Sequence, residues 1–449
     1  MKLQQILSNL QKLHPKEIDL SLDRIKKLCK KLGNPQDNLK YISVVGTNGK
    51  YSTIQAIRAI LKDANINCIQ VAGTNGKYST IQALRAILND AGIKCNIYTS
   101  PHIQKINERF IYNDKELDDE NLSRLLNEVE EINAGEEITF FEILTAAFFH
   151  GCKKYQKNLT ICEFGLFARF DAVNILKSNL ATIITTIGLD HLDWLPENEK
   201  TIDRIIFEKT SSLLKSNIIV SKQTDNKIQD KIKKSLEYNK SKKLFFNDLY
   251  SYTLGENNFF YYEDDIGGLK LPLPNLNGEF QLANVTAAIA TIRILKNLNV
   301  SDENIKKGIT NIQSIARLQE IKNGRLKKLC LKNKLFIDGS HNPLGAIVLN
   351  NFINKIHGNV HVILGMMNNK NHKDYISYFK NISSLTTIDI PNQPNAIKGI
   401  ELKNKLNHIQ NINYKKSIEE ALKSISLSKD DVVLITGSLY LAGEVLNLN

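Results

Sequence analysis

Apolar residues recur along this chain with two different periods. Over residues 1–40 they return every three or four positions: Ile6, Leu10 and Leu13, then, beyond Pro15, Leu22, Ile25, Leu28 and Leu32, up to Gly33-Asn34-Pro35. That is the stripe of amphipathic helices closed by a glycine–proline stop. A β-branched run then breaks into a glycine loop and a new helical stripe, and the whole unit occurs twice. In the second copy the stripe is Ile81, Leu84, Ile87 and Leu88, ending at Gly92. Residues 94–98 read as a short strand running into Thr99-Ser100-Pro101-His102, and 116–157 as helix interrupted near Gly135. From 159 the pattern changes to continuous apolar runs with polar ends: Leu159 to Cys162 into Glu163, and Ala181 to Ile187 into Gly188-Leu189-Asp190-His191. Such runs separated by helices are the mark of a parallel sheet covered on both faces.

Residues 224–270 are rich in Lys, Asn and Tyr and weakly periodic, which predicts short peripheral strands and loops. Helices are expected over about 281–297 and 302–311. A second alternating series follows: Lys334 to Ile337 into Asp338, His361 to Leu364 into Gly365, and Val432 to Ile435 into Thr436-Gly437-Ser438. The expected fold is α/β, a P-loop-type, mostly parallel sheet over 1–312 followed by a smaller Rossmann-like domain over 313–449.

The chemistry concentrates at Gly73-Thr74-Asn75-Gly76-Lys77-Tyr78. A strand feeding a tight glycine loop that opens a helix aims backbone N–H groups and the helix dipole at one spot, and Lys77 adds a full charge there. This is the construction of a phosphate cradle. The spacing departs from G-x-x-x-x-G-K-[ST], because the two glycines stand three apart and Tyr78 follows the lysine. An ordinary glycine turn remains the plain alternative. The blocks 42–68 and 69–95 are identical at 21 of 27 positions, each carrying Gly-Thr-Asn-Gly-Lys-Tyr-Ser-Thr-Ile-Gln-Ala. Two copies are too few for a solenoid. They read as a tandem duplication in which one copy holds the site and the other is looped out. Lys77 has the direct connection to Ser100, so the second copy is expected to be live and the first peripheral.

Ligands of parallel sheets bind beyond the carboxyl ends of the strands, and Ser100, Glu163 and His191 fall at the same edge as the loop. A hydroxyl, a carboxylate and an imidazole beside a phosphate cradle fit Mg²⁺ held against a nucleoside triphosphate. Singly, each has a structural reading: Ser100 as a cap, Glu163 as a solvated strand end, His191 as an ion-paired neighbour of Asp190 and Asp193.

Composition changes this picture little. Hydrophobic residues make up 42% and charged residues 24% of 449, enough for sizeable cores. No apolar run is long enough to span a membrane, the start lacks a signal-like hydrophobic region, and six cysteines show no C-x-x-C spacing. A cytoplasmic protein without structural zinc is expected. The net charge of +12 admits nucleic acid. The lysines are scattered without interleaved aromatics, however, which favours an anionic small substrate.

The chain resembles the folylpolyglutamate synthase/dihydrofolate synthase family of the Mur ligase superfamily, nearly end to end. The resemblance lies in Ile18 to Arg24, the Gly-Thr-Asn-Gly-Lys loop, Thr99-Ser100-Pro101-His102, Asn107-Glu108-Arg109 and Thr139-Phe140-Phe141-Glu142. It continues through Glu163-Phe164-Gly165-Leu166, Asp171-Ala172-Val173-Asn174, Gly188 to His191, Glu208-Lys209, Ala316-Arg317-Leu318, Asp338 to Pro343 and Thr436-Gly437-Ser438.

The resemblance implies ATP-dependent addition of L-glutamate to dihydropteroate or a reduced folate through an acyl phosphate, with ATP in a cleft between the domains. It makes Ser100, Glu163 and His191 ligands of Mg²⁺ and Lys209 a carbamylated lysine. Lys77, His191 and Lys209 become the catalytic set. Thr74, Asn75, Gly76, Lys77, Tyr78, Asn284, Arg317 and Asp338 become nucleotide contacts, and Thr139, Phe140, Phe141, Glu142, Phe170, Asp171 and Ala172 pterin contacts. A monomer without nucleic-acid or membrane partners is expected.

Three departures stand out: Tyr51 and Tyr78 where the family has glycine, Phe167-Ala168 where it has Gly-Gly, and the duplication itself. They leave a catalytically impaired nucleotide- or folate-binding homologue as the alternative. Another Mur-type amide ligase is disfavoured by the folate-like amino-terminal motifs.

Overall fold

A computed structural model describes residues 3–14, 22–38, 40–44 and 68–449. The first copy of the repeat beyond Val44, with Lys50 and Tyr51, lies outside the described residues. The chain forms two compact units, one built from residues up to Gln313 and the other from Ser314–Asn449 with Ile103–Lys105 and Leu276–Gln281.

In the first unit the elements are α1 (Leu3–Leu13), α2 (Asp23–Lys31), β1 (Lys40–Val44), β2 (Cys68–Ala72), α3 (Lys77–Asp90), β3 (Cys95–Tyr98), β4 (Ile111–Tyr112) and β5 (Lys115–Glu116). There follow α4 (Asp119–Asn133), α5 (Phe140–Cys152), β6 (Leu159–Glu163), β7 (Ala181–Ile184), α6 (Ile202–Thr210), β8 (Asn217–Val220), α7 (Asn226–Ser235) and β9 (Lys243–Phe245). The unit ends with β10 (Tyr250–Leu254), β11 (Phe259–Asp264), β12 (Leu269–Pro272), α8 (Phe280–Ile294) and α9 (Asp302–Ile309).

The large sheet runs β5-β4-β3-β6-β1-β7-β8-β9, with β2 also paired to β6 and β7. It is parallel except at β4 and β5. β6 and β7 are buried along their whole length, as their unbroken apolar runs require. Helices α1, α2, α4 and α5 cover one face with a core that includes Leu28, Leu126, Phe148 and Phe149.

The helix expected over 116–157 is two. Ala134 adopts φ 58°, and Thr139 and Glu142 form a reciprocal capping box that starts α5. The stretch 224–270 holds helix α7 as well as strands, and β10, β11 and β12 make a separate antiparallel sheet. The structure also departs from the expected periphery of the first repeat: β1 stands in the middle of the sheet.

The second unit contains β13 (Gln319–Ile321), α10 (Arg325–Leu329), β14 (Lys334–Ile337), α11 (Pro343–Ile353), β15 (Val360–Leu364), α12 (His372–Ser377), β16 (Ser384–Ile388) and α13 (Gly399–Lys405). It closes with β17 (Ile412–Lys415), α14 (Ile418–Ser424), β18 (Val432–Thr436) and α15 (Leu439–Leu448). Its sheet order is β13-β14-β18-β15-β16-β17, parallel except for β13. No helix among the described residues is long and apolar enough to cross a membrane.

Candidate active site

The loop after β2 is stitched to the end of β7. Thr186 O accepts the N–H of Thr74 at 2.6 Å and of Asn75 at 3.1 Å. Thr74 Oγ1 donates to Gly188 O and accepts from Gly188 N, both at 2.9 Å. A Cβ on Gly73 would press into Thr185, 2.8 Å from its carbonyl carbon, so the close approach of the two backbones demands glycine. Gly76 has φ +98°, and a Cβ there would collide with Asn284 Oδ1. The loop is thus bonded to the end of β7 and closely approached by Asn284 of α8. It opens directly into α3, whose first residue is Lys77. The positive end of that helix and the Lys77 charge share one location.

Lys77 Nζ stands 3.8 Å from Glu163 Oε1. The other oxygen, Glu163 Oε2, accepts the backbone N–H of Ser100 at 3.2 Å. Ser100 Oγ is inaccessible to solvent and has no hydrogen-bond partner. An orphaned hydroxyl beside a carboxylate is a donor set suited to a hard, oxygen-preferring divalent cation, so Ser100 and Glu163 fit the expected Mg²⁺. Among the described residues no group of three His, Cys, Asp or Glu side chains is arranged to hold a metal. An ion held by Ser100 and Glu163 would complete its shell with further oxygen from phosphate or water. His191 adopts φ 56°, its N–H bonds Asp190 Oδ1 at 2.8 Å, and its Nε2 lies 3.5 Å from Asp190 Oδ2. That is the ion-paired arrangement which its sequence neighbours admitted.

Gly165 marks where three segments meet. A Cβ built on it would lie 3.2 Å from Phe141 Cζ, 3.4 Å from Asp171 Oδ2 and 3.5 Å from Ser100 Oγ. The aromatic residue expected to touch a pterin and the hydroxyl expected to touch a metal thus border the same bare backbone. Asp171 latches this loop: Oδ2 accepts from Gly165 N at 2.7 Å and Leu166 N at 3.1 Å, and Oδ1 from Val173 N at 3.0 Å. Burial pushes its carboxyl up to about 7 against those three donors. Ala172 is buried in the short turn that follows. Phe170 lies under the Arg169 guanidinium, 4.4 Å from it, and Arg169 also bonds Glu208 at 3.1 Å.

Lys209, near the end of α6, is fully buried. Its Nζ donates to Leu166 O at 3.1 Å and Gly73 O at 3.3 Å. Burial, then the nearby Lys77 charge, pushes it well below the usual lysine range. Phe167 is buried, with its ring 5.7 Å from that amine. Thr139 and Glu142 serve α5 itself: Glu142 Oε2 accepts from Thr139 N at 2.8 Å and from Arg24 Nε at 3.2 Å. Burial raises the Glu142 carboxyl while Arg24 opposes the rise. Phe140 and Phe141 remain partly exposed at the start of the same helix.

In the second unit, Asp338 follows β14 and accepts from Leu318 N at 2.7 Å and Ser340 N at 2.8 Å. Arg317 donates to Ala316 O at 3.0 Å, and its Nη1 covers Gly339. Thr185, Thr186, Gly188 and Gly165 escaped the sequence reading as site residues. Their signal was the polar or glycine residue at a strand end, visible in Thr185-Thr186-Ile187-Gly188.

The Mur ligase middle domain matches residues 71–292, beginning inside the second copy of the repeat, and the Mur ligase glutamate ligase domain matches 324–439. A dihydrofolate synthase/folylpolyglutamate synthase of Buchnera aphidicola is 30% identical over 450 residues, covering 98% of this chain and 97% of that protein. The Haemophilus influenzae protein of the same name is 28% identical over 463 residues, covering 98% and 95%. Among solved structures, Escherichia coli FolC in complex with DHPP and ADP superimposes with TM-score 0.79 at 25% identity, covering 100% of this chain and 97% of that one. The bifunctional enzyme of Yersinia pestis gives TM-score 0.80 at 24% identity, covering 100% and 98%, and so shows the common fold. With its two Mur ligase domains in order and a 30% identical relative matched over nearly its full length, the chain belongs to the folylpolyglutamate synthase/dihydrofolate synthase family of the Mur ligase superfamily.

Proposed function

We propose that this chain is an ATP-dependent ligase that joins L-glutamate to the carboxylate of dihydropteroate, a reduced folate, or both. The observation that carries this reading is the meeting at Gly165 of the orphaned Ser100 hydroxyl, the Phe141 ring and the Asp171 latch. Glu163 accepts the Ser100 N–H and stands 3.8 Å from Lys77 Nζ.

The substrate carboxylate attacks the γ-phosphorus of ATP; the bond to the bridging oxygen breaks, and ADP leaves. The amine of glutamate then attacks the acyl phosphate carbonyl, losing a proton and expelling inorganic phosphate. Every reactant is anionic, so the protein's task is to offset negative charge. Lys77 and the α3 N-terminus do so at the phosphates, and Asn284, close beside Gly76, adds a nucleotide contact. Mg²⁺ held by Ser100, Glu163 and His191 would neutralise the phosphate oxygens. Phe140, Phe141 and the loop latched by Asp171 receive the flat pterin. Arg317 and Asp338 keep the nucleotide-contact role that the family resemblance gives them. The chain acts as a cytoplasmic monomer on small molecules.

The test is ADP release by purified protein on adding dihydropteroate or tetrahydrofolate with glutamate and Mg²⁺. Turnover requiring all four components supports the ligase. Tight nucleotide or pterin binding without turnover returns the reading to an impaired homologue.

A further inference from the structure

β14 and β18 are parallel neighbours in the sheet of the second unit, with Ile337 level with Ile435. Each strand ends in a loop that opens a helix. Asp338 to Asn342 leads into α11, and Gly437 with Ser438 leads into α15. Two backbone bonds carry the pairing past the strands: Ile435 O accepts from Asp338 N at 3.0 Å, and Ser340 O from Gly437 N at 3.1 Å.

Tyr375, on α12, ties the same two strand ends with its side chain. Its hydroxyl lies 2.8 Å from Thr436 Oγ1 and 3.2 Å from Ser340 Oγ. A phenol offers one proton and also accepts, so both bonds form at once. The ring is fully buried in a core that includes Leu349, Leu364 and Phe379, edge-on to Phe379 with centroids 5.3 Å apart. Phenylalanine would fill that space equally well. The hydroxyl is thus additional to packing, and what it adds is a link from α12 to the ends of β14 and β18.

Ser340 passes this constraint on. Its N–H donates to Asp338 Oδ1 at 2.8 Å, and Asp338 Oδ2 accepts from Leu318 N at 2.7 Å. Gly339 N donates to Ala316 O at 3.0 Å, the carbonyl that also receives Arg317 Nη1. The first turn of α11 presses on the same residue, since a Cβ on Gly345 would meet Ser340 Cβ at 2.3 Å. The turn from Asp338 to Ser340 is thereby fixed at its far end by Tyr375 and at its near end by the segment carrying Arg317.

We propose that Tyr375 is a positioning residue for the nucleotide: its hydroxyl sets the Asp338–Ser340 turn, and through it the Asp338 and Arg317 contacts. The nucleotide role of those two residues rests on the ligase reading above. Without the hydroxyl, Ser340 and Thr436 lose their shared partner and the turn is free to take other conformations. Binding must then supply the order that Tyr375 had supplied beforehand.

Isothermal titration calorimetry of the full chain with Mg-ADP reads this without requiring turnover. Tyr375→Phe should weaken Mg-ADP by roughly three- to tenfold, the worth of one neutral hydrogen bond. Ser340→Ala should weaken it to a similar extent, and carries the same test if Tyr375→Phe does not fold. The double variant should bind no worse than either single one, as for groups that act in one chain. A merely structural hydroxyl would lower the melting temperature and leave the affinity where it was.

Unchanged Mg-ADP affinity in the single variants, or losses that add in the double variant, overturns the positioning role and leaves the ligase standing. An unmodified protein that binds Mg-ADP but forms no amide bond, with the expected losses in the variants, upholds the positioning role and removes the ligase. An unmodified protein that binds no Mg-ADP removes both.

Discussion

Replacing Ser100 by alanine should make the protein more stable and less active at once. The Ser100 hydroxyl oxygen is inaccessible to solvent and bonded to nothing, while its backbone N–H keeps its bond to Glu163. A buried polar group without a partner costs about 1–3 kcal/mol, and alanine removes that group while conserving nearly all the volume. Each kcal/mol shifts the midpoint of a domain of this size by about 2 °C, so the first unit of Ser100→Ala should melt about 2–6 °C higher in chelator. Addition of Mg²⁺ and ATP should narrow or reverse that gap. The unmodified protein gains about 2.7 kcal/mol at a ligand concentration 100-fold above Kd, and the variant, lacking one oxygen ligand, gains less. Turnover should fall by about tenfold or more, as for loss of a metal ligand or its support. Differential scanning calorimetry with and without Mg-ATP, beside a phosphate-release assay, reads both quantities. A variant that melts lower in chelator would mean that the hydroxyl serves the fold, and the reasoning would fail there.

Lys26 offers a pH test: burial pushes its ammonium down to about 8, partly opposed by Asp23, and its Nζ has no hydrogen-bond partner. The folded value lies below the unfolded one, so stability rises with pH between about 8 and 10.4 and the cost of the charge is constant below 8. Lys26→Met should therefore stabilise by about 1–2 kcal/mol at pH 7, allowing for water near the ammonium, and the gain should vanish by about pH 10.4; a constant gain across that range would assign it to packing. Gly308→Ala would place a methyl 2.5 Å from Ile87 Cα, forcing α9 away from α3 at a cost of about 1–3 kcal/mol. Because α3 begins at Lys77, KM for ATP should rise with it; a lowered melting point with unchanged KM would uncouple the two. Burial favours the uncharged form of the Lys209 amine, the form that reacts with CO₂. Stripping bicarbonate should lower kcat and readdition restore it, whereas an unmodified enzyme of full activity would refute the carbamate.

The site was legible where a strand ends in a residue of the wrong polarity. Ser100 and Glu163 stood out because a hydroxyl just beyond one buried strand and a carboxylate ending another fall at the same sheet edge, although each alone has a structural reading. Thr186 and Gly188 were missed because they act through backbone atoms, so the polar and glycine residues at the strand end marked the place without showing the role. Glu142 was read as a pterin contact from its place in a motif, yet its oxygens are taken by Thr139 and Arg24, a use that only the fold around α2 reveals. In the second unit β14, β15 and β18 stood out as apolar runs. β16 and β17 did not, because Ser384, Thr386, Thr387 and Asn413 dilute the pattern toward the sheet edge.

The capping of α5 also sorts the ends of the substrate. A helix N-terminus normally attracts carboxylates, and a glutamate tail carries one per residue. Glu142 already places a carboxyl group across that terminus, and Arg24 compensates it in turn. The electrostatic account at the start of α5 is thus closed within the protein. An anionic tail gains nothing by lying there, and what the exposed edges of Phe140 and Phe141 still offer is contact for an uncharged, flat ring. On the ligase reading proposed above, the ring would go to α5 and the reactive carboxylate toward the cationic end of α3.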